Sequence, residues 1–504
     1  MAHTINCPRC KKPLEIPQPI PEQVRCASCG ATMKYKAKPG DSRDGTTSAR
    51  PTPTPAEPKV SPRGMIVGVA ILGGGLLLAV LSCAGLGLAW SLSAGKAKDD
   101  KNAQAKSAAK PVEEDNWQPP QSYLKATAPR KEPLPPKIAA AVNKGSTFLK
   151  QRILAQSAAL AKDDRFITDQ SVGAIALSGL ALLEADVPVT DKAIWKALKM
   201  IRDTGPRLRN VYAQGAAVFF LNRLHDIEPL ERGDRDLLRT LALRMIAGQL
   251  PDGCWTYHNP PISAEEQEQL LLDLRNNTYK PHGTALNNYP SHSMTQFALL
   301  SLWNSARHDI PVRPAILASA AHFQVMQYPD GTWGYSTKQE KTYYFDSNTC
   351  AGLIALAMDK TLRDDKEFRH STVVDAPSNP MIDAQVVKGF AHLTKVIGRT
   401  KNESNPMRAE NGDVLRVDAW GDYYFLWCLE RVAVIYDKKE IGGKDWYAWG
   451  SEVILNQQRG DGSWDDRHGE VPDTCFAILF LTRCNLAKDL TRSIRMRDGR
   501  PIGP

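Results

Sequence analysis

The sequence lacks the short motifs that mark several common kinds of catalytic site. It contains no Gly-rich phosphate-binding loop, no Gly-x-Ser-x-Gly nucleophile elbow, no Asp-x-Asp-Asp acid run and no Asp-Asp-x-x-Asp diphosphate site. The nearest carboxylate runs are Asp234-Arg-Asp236, Asp364-Asp365 and Asp465-Asp466, and none has the required spacing. The usual sequence signatures of these chemistries are therefore absent.

Net charge is also lacking where nucleic-acid binding would need it. The whole chain carries a formal charge of +9, and this excess lies entirely in residues 1–137, with 20 Lys and Arg against 11 Asp and Glu. The 44 basic and 44 acidic residues that follow cancel. A groove that tracks phosphates needs a basic surplus, so we expect no nucleic-acid binding by residues 138–504. The basic N-terminal arm is either a solvated linker or a contact for anionic lipid headgroups.

Residues 1–38 have few apolar side chains but contain two Cys-x-x-Cys pairs. Cys7 and Cys10 are separated by fifteen residues from Cys26 and Cys29. This spacing is typical of a four-thiolate zinc ribbon, and two disulfides, the alternative, fit paired knuckles poorly. Because the segment cannot bury a sufficient core, metal binding must supply its folding free energy. We predict a small β-rich ribbon that holds zinc.

A long uncharged run follows the ribbon. Met65 to Trp90 contains 26 residues without a charge, and a helix needs about 20 to cross the hydrocarbon core of a bilayer. The run starts too far from the N terminus to be a cleaved signal peptide. Residues 39–64 and 93–137, which have no periodic apolar pattern, are predicted to be disordered linkers. The pattern predicts one transmembrane helix over residues 65–92.

Two observations bear on the orientation of that predicted span. Five lysines within the twenty residues after it, against three basic residues in the twenty before it, weakly favour a cytoplasmic C-terminal side. A thiolate zinc site belongs in a reducing compartment, which favours a cytoplasmic N terminus. We give the zinc more weight and expect the ribbon in the cytoplasm and residues 138–504 on the opposite side.

The phrase Gln-x-x-Asp-Gly-x-Trp occurs three times in the C-terminal part of the chain. Each copy follows an amphipathic helical stretch and precedes a second apolar helix. Asp-Gly favours a turn with positive φ, Gln can bond free carbonyls at a helix end, and Trp covers the junction. A single helix pair cannot bury its own apolar stripe, so stacked copies must share a core. The structural residues of the copies are Gln249, Asp252, Gly253, Trp255, Gln327, Asp330, Gly331, Trp333, Gln458, Asp461, Gly462 and Trp464.

These copies resemble the QW repeats of the α/α-toroid superfamily, which includes squalene and other terpenoid cyclases and protein prenyltransferase β subunits. The resemblance covers residues 138–504. It implies a mainly α fold in which repeated helix pairs form an α/α toroid. The family's cyclases protonate their substrate with Asp-x-Asp-Asp, which this chain lacks.

The resemblance also implies a partial second metal site. The family's prenyltransferases bind zinc through Asp-x-Cys at a helix start and a His from the next repeat, and Asp473-Thr-Cys475 matches the first part. No His lies downstream of Cys475, so His292 or His468 would have to supply the third ligand. Inert core packing of Cys475 is the alternative.

An aromatic stretch that begins at Asp418 supplies the remaining candidate acids. Asp422 and Glu430 place carboxylates beside aromatic rings, an arrangement that holds a cationic ligand or intermediate. A buried ion pair between Glu430 and Arg431 that fixes helix packing is the alternative. The candidate catalytic acids are therefore Asp418, Asp422, Glu430 and Asp473.

Two functions remain open on the sequence. The first is a membrane-anchored binding or scaffold module for an isoprenoid, a lipid or a protein partner. The second is a terpenoid cyclase or prenyltransferase with a non-standard acid, so whether the chain is an enzyme stays undecided. The missing acid motif favours the first, since a fold alone does not establish a reaction. A ring filled by side chains would favour binding, and a sealed apolar cavity with one buried carboxylate would favour the enzyme.

Overall fold

The helical content of the chain agrees with the sequence. A computed structural model describes residues 3–6, 13–16, 23–25, 32–34, 133–162, 167–285, 290–335, 346–364, 380–399, 407–408, 414–416, 422–484, 486–488 and 490–491. Most of these residues lie in α-helices, which confirms the prediction of a mainly α fold. The chain divides into two units, Met1–Leu72 and Gly73–Pro504.

The N-terminal unit contains two short antiparallel hairpins. Strand β1 (His3–Asn6) pairs with β2 (Pro13–Ile16), and β3 (Gln23–Arg25) pairs with β4 (Thr32–Lys34). The four cysteines of the predicted ribbon lie outside the described residues, between the paired strands in sequence. The ribbon and its zinc therefore stay predictions.

The described part of the second unit is built mainly from helices. The helices are α1 (Pro136–Lys162), α2 (Asp169–Glu184), α3 (Lys192–Thr204), α4 (Val211–Ile227), α5 (Arg232–Ala247), α6 (Ala264–Arg275), α7 (His292–Ser305), α8 (Arg313–Met326), α9 (Asp346–Asp364), α10 (Pro380–Val396), α11 (Tyr423–Ile435), α12 (Trp446–Leu455) and α13 (Glu470–Leu481). Two small hairpins join β5 (Met407–Arg408) to β6 (Val414–Arg416) and β7 (Glu440–Ile441) to β8 (Lys444–Asp445).

Local capping fixes where many of these helices begin. Asn210 accepts hydrogen bonds from two backbone N–H groups at the start of α4, and Ser291 caps α7. Asp422 accepts a hydrogen bond from the N–H of Tyr424 at 2.8 Å and so caps α11. These side chains satisfy N–H groups that have no partner within the helix, which stabilises each helix start by about 1 kcal/mol.

Six helices form a closed series of packing contacts. We call α2, α4, α7, α9, α11 and α13 the core helices, because each packs against the next and α13 packs against α2. The helices α1, α3, α5, α8, α10 and α12 pack against them as flanking helices. The core helices are apolar on nearly every side, as in the fully buried run from Cys350 to Met358 of α9. A helix that is apolar all round must be covered by protein on all sides, which the two layers provide.

Each copy of the repeated phrase joins three pieces of chain. The Gln amide of each copy donates one hydrogen bond to the Gly carbonyl of its own turn and another to a carbonyl of the next flanking helix. The second acceptors are Ala315 for Gln249 (2.8 Å), Gln385 for Gln327 (2.9 Å) and Ala141 for Gln458 (2.9 Å). The Trp indole N–H donates to a carbonyl ten residues earlier, at the end of the preceding helix. Gly253, Gly331 and Gly462 have φ between +85° and +91°, which side-chain-bearing residues rarely adopt.

The third copy joins the two ends of the helical unit. Ala141 lies in α1, the first helix, whereas Gln458 follows α12 near the other end of the chain. The same hydrogen-bond pattern therefore recurs where the chain returns to its start.

The membrane prediction requires a correction. Among the residues that the structure describes, no helix has both the length and the apolar character needed to cross a bilayer. The predicted span at residues 65–92 lies outside these residues, as do the linkers at 39–64 and 93–132. On this finding we withdraw the transmembrane helix, the single-pass membrane localisation and the placement of the ribbon and the helical unit on opposite sides.

Candidate functional site

Aromatic side chains from four core helices meet in the middle of the closed series. Phe297 of α7 lies with its ring centroid 4.9 Å from Tyr212 of α4 and 5.4 Å from Trp427 of α11. Phe476 of α13 lies 5.3 Å from Trp427 and 5.4 Å from Tyr424. We call Tyr212, Phe219, Phe297, Tyr424, Trp427 and Phe476 the aromatic plug. Of these four contacts, Phe297–Trp427 joins α7 to α11, which are not neighbours in the series, and the other three join neighbouring core helices.

A polar link crosses the plug at the amino ends of the core helices. The Tyr212 hydroxyl donates to Ser293 Oγ at 3.0 Å, and Ser293 Oγ lies 2.8 Å from the Tyr424 hydroxyl. Tyr212 and Tyr424 belong to α4 and α11, which lie opposite each other in the series. Burial raises the pKa of Tyr424 well above its usual value, so its hydroxyl stays protonated and available as a donor.

Two of the predicted acids lie together beside this link. In the group Asp422, His468 and Asp473, which we call the Asp–His–Asp cluster, both carboxylates are buried and the His468 side chain is 24 % exposed. His468 Nε2 lies 3.6 Å from Asp422 Oδ1. Asp473 Oδ2 accepts hydrogen bonds from the backbone N–H of Asp466 at 2.6 Å and of His468 at 3.2 Å. The other oxygen, Oδ1, is buried without a hydrogen-bond partner.

The two carboxyl groups of this cluster have opposite electrostatic environments. Burial alone would raise the pKa of Asp422, but His468, Arg467 and the Tyr424 N–H together lower it to about 2. Burial raises the pKa of Asp473 to about 7, with nearby Asp422 adding to the increase and His468 opposing it. A pair of carboxyls with separated pKa values can divide into an acid and a base, so Asp473 is the better of the two candidate acids.

Glu430 and Arg431 form the buried ion pair that the sequence offered as an alternative. Both side chains are almost fully inaccessible, and Arg431 Nε donates to Glu430 Oε2 at 2.6 Å. Burial raises the pKa of Glu430 to about 8, and the contact with Arg431 opposes that increase. The guanidinium also lies 5.9 Å from the Trp427 ring. The other carboxyl oxygen, Glu430 Oε1, is buried and has no hydrogen-bond partner among the described residues. Asp418, the remaining predicted acid, lies outside the described residues.

Asp473 and Cys475, the predicted partial metal site, have separate partners within the protein. The Cys475 thiol lies 3.4 Å from the hydroxyl of Ser178 on α2, while Asp473 binds the backbone of the loop before α13. Of the two candidate third ligands, His468 belongs to the Asp–His–Asp cluster, and His292 lies in a different group of side chains.

That group is the one set of His, Cys, Asp and Glu side chains that is arranged for a metal ion among the described residues. Cys254, His292 and His322 are buried and bring one ligand atom each to within 4.8 Å of the others. His292 Nε2 lies 2.9 Å from His322 Nε2, and His292 Nδ1 lies 2.7 Å from the carbonyl oxygen of Gly334. Burial lowers the pKa of His292 to about 3, lowers that of His322 and raises that of the Cys254 thiol. One sulfur and two imidazole nitrogens form a set that could hold a metal ion.

The sequence interpretation missed this group, although a signal was present. Cys254 occupies the variable sixth position of the first repeat copy, where the other copies have Thr332 and Ser463. His292 and His322 lie in α7 and α8, beyond the intervening helix α6. Only the fold of two successive helix pairs brings the three side chains together.

Comparisons with known proteins add no assignment. The chain matches no protein-family model, and no curated protein matches it.

Proposed function

We propose that the helical unit is an α/α toroid and that it works as a binding or scaffold module. The closed series of core helices, the second layer of flanking helices and the Gln458–Ala141 hydrogen bond that joins the two ends support the toroid. The resemblance of the repeated phrase to the QW repeats agrees with this arrangement. As a further part of the proposal, Cys7, Cys10, Cys26 and Cys29 bind a zinc ion in the N-terminal ribbon.

The aromatic plug is the observation that carries the proposal. A cyclase needs an open apolar cavity that encloses its substrate, and ligand pockets of that kind have volumes of about 300–1,000 Å³. Here Phe297, Trp427 and Phe476 are at most 5 % exposed, and the Trp427 ring contacts both phenyl rings inside the series of core helices, where the proposed ring would have its cavity. The sequence left three ligand classes open: an isoprenoid, a lipid or a protein partner. An isoprenoid or a lipid inside the ring would have to displace these side chains. A protein partner bound outside the ring would not.

The test is to incubate the full-length protein with squalene, with prenyl diphosphates and with a total lipid extract, and to analyse extracts by mass spectrometry. We expect no converted product and no retained isoprenoid. A cyclised or transferred product would contradict the proposal. If an isoprenoid is retained unchanged, the binding function would be supported, and the ligand would bind inside the ring.

The alternative is a cyclase or prenyltransferase with a non-standard acid. One observation favours it, namely that Asp473 has a raised pKa and an oxygen buried without a hydrogen-bond partner among the described residues; Glu430 shares both properties but is bound by Arg431. If the incubation yields a product, Asp473→Asn should abolish it, and Glu430→Gln should not, because Glu430 is paired with Arg431.

A further inference from the structure

We infer that Cys254, His292 and His322 form a transition-metal site that clamps two successive helix pairs, with a divalent ion of the zinc class as its occupant. The sulfur comes from the turn after α5, and the two nitrogens come from the start of α7 and the end of α8. The site differs from the ligand set that the family resemblance implied, which lies at Asp473 and Cys475 in α13.

The hydrogen bonds of the two imidazole rings point their remaining nitrogens at each other. A backbone carbonyl only accepts hydrogen bonds, so the Gly334 carbonyl places the ring proton of His292 on Nδ1 and leaves a lone pair on Nε2. The His322 ring is likewise hydrogen-bonded to the backbone of Asp252 and turns its Nε2 to His292. If His322 also carries its proton on Nδ1, two lone pairs face each other and a cation must lie between them; with the proton on Nε2, the contact is an N–H···N hydrogen bond that a metal ion would replace.

The distances favour a metal ion as that cation. Two nitrogens bound tetrahedrally to zinc at about 2.0–2.1 Å lie about 3.3 Å apart, close to the 2.9 Å between the two Nε2 atoms. The third donor is a thiol sulfur within 4.8 Å, a ligand that selects borderline and soft metals over Mg²⁺ or Ca²⁺. Metal-binding histidines usually donate their other ring N–H to a backbone carbonyl or a carboxylate, which fixes the tautomer and the orientation of the ring.

The site is prearranged by the repeat itself. The backbone N–H of Trp255 donates to Thr295 Oγ1 at 3.3 Å. This bond holds the turn that carries Cys254 against the helix that carries His292. Gln249 donates to the Ala315 carbonyl of α8, the helix that carries His322. The backbone therefore positions all three ligands before any ion binds.

A comparison of the three repeat copies shows that this position serves as a clamp. The equivalent residues follow from two rules. The residue equivalent to His322 lies seven positions after the residue whose carbonyl accepts the Gln hydrogen bond. The residue equivalent to His292 lies three positions before the Thr near the start of the next core helix. The equivalent residues are Cys254, His292 and His322 in the first copy, Thr332, Asp346 and His392 in the second, and Ser463, Val471 and Phe148 in the third. In the second copy His392 Nε2 lies 2.8 Å from Asp346 Oδ1. The third copy has buried apolar side chains there. The equivalent positions thus hold a hydrogen-bonded His–Asp pair in the second copy, and a buried serine with two buried apolar side chains in the third, and we assign a metal to the first.

Metal binding at this site changes no oxidation state, and the only group lost is one proton. The Cys254 thiol loses its proton to solvent as the sulfur–metal bond forms, and both imidazoles bind in their neutral form. Binding should therefore release one proton and weaken as the pH falls.

The experiment measures zinc per chain in the full-length protein, with Cys254→Ser and His322→Gln as the test variants. Each should contain one zinc less than the wild type, whether or not the ribbon also holds zinc. His392→Gln, the equivalent residue of the next copy, is the matched control and should leave the zinc content unchanged. Circular dichroism checks that each variant keeps its helices.

Cobalt provides a second readout. In a chain whose four ribbon cysteines are changed to serine, Co²⁺ should produce a thiolate charge-transfer band that disappears with Cys254→Ser. The site would be overturned if Cys254→Ser and His322→Gln keep their helices and still contain as much zinc as the wild type. It would also be overturned if the protein without the four ribbon cysteines keeps its helices and shows no such band with Co²⁺.

Discussion

The protonation of the buried Asp473 carboxyl can be followed through the free energy of unfolding of the protein. Its pKa is raised from 3.8 to about 7, so between these values the folded protein holds a proton that the unfolded chain has lost. Stability contributed at this position therefore falls as the pH rises from about 4 to about 7, by up to about 4 kcal/mol, and stays level above that. Asp473→Asn removes the titration. We expect the stability of the wild type relative to this variant to fall across that window in urea unfolding. A constant difference would mean that the carboxyl titrates normally.

The tryptophans of the repeated phrase provide a second residue-scale prediction. Trp333 is fully buried, and its indole N–H donates to the carbonyl of Phe323 at 2.8 Å. Trp333→Ala should lower the free energy of unfolding by about 3–5 kcal/mol, because it opens a cavity and leaves that carbonyl without a partner. Val325→Ala, at a side chain of α8 that is 69 % exposed, is the control and should change stability by less than about 0.5 kcal/mol. Similar melting of the two variants would contradict this account of the repeat.

What could be predicted at this scale depended on repetition. Three copies made Gln458 and Trp464 recognisable as structural residues, and the observed bonds to Ala141 and Ile454 are of the kind that the turn chemistry suggested. His292 and His322 occur once each and lie on separate helices, so nothing local linked them to Cys254. The partner of Asp422 could not be foreseen either, because His468 reaches it only after α11 and α13 pack together.

At the scale of elements, helix pairs were predictable and the order of their contacts was not. The capping box formed by Ser263 and Glu266 starts helix α6, in a stretch between the first two copies. A Ser followed three residues later by Glu is a known helix start, so that helix was readable in principle. The order in which the core helices contact each other was not, since it depends on contacts between distant parts of the chain.

The junction between the last repeat and the first helix gives an element-scale prediction. Gln458→Ala removes the hydrogen bond to Ala141 and leaves two carbonyls without this donor, at a cost of about 1–3 kcal/mol. Hydrogen exchange followed by mass spectrometry should show lost protection in α1. Gln249→Ala is the matched control, because its amide binds Ala315 and its loss should affect α8 instead. Unchanged exchange in α1 would mean that the closure does not depend on this residue.

At the scale of the whole molecule, the proposed function rests on whether the proposed ring has an interior for a ligand. Fold resemblance suggested an enzyme cavity, and the repeated phrase gave no information on what fills the middle. The side chains that fill it, Phe297, Trp427 and Phe476, lie one on each of three core helices. Their convergence depends on the closure of the series, which is why the sequence left binding and catalysis open.

Trp427→Ala tests the filled interior directly. The side chain is fully buried between Phe297 and Phe476, so its removal should destabilise the protein by about 3–5 kcal/mol and leave an apolar void. Voids of this kind stay dry and bind small apolar molecules. Indole should therefore raise the melting temperature of the variant and leave that of the wild type unchanged. Equal stabilisation of both proteins would show that the wild type already holds a cavity, and the enzyme alternative with Asp473 as its acid would then be favoured.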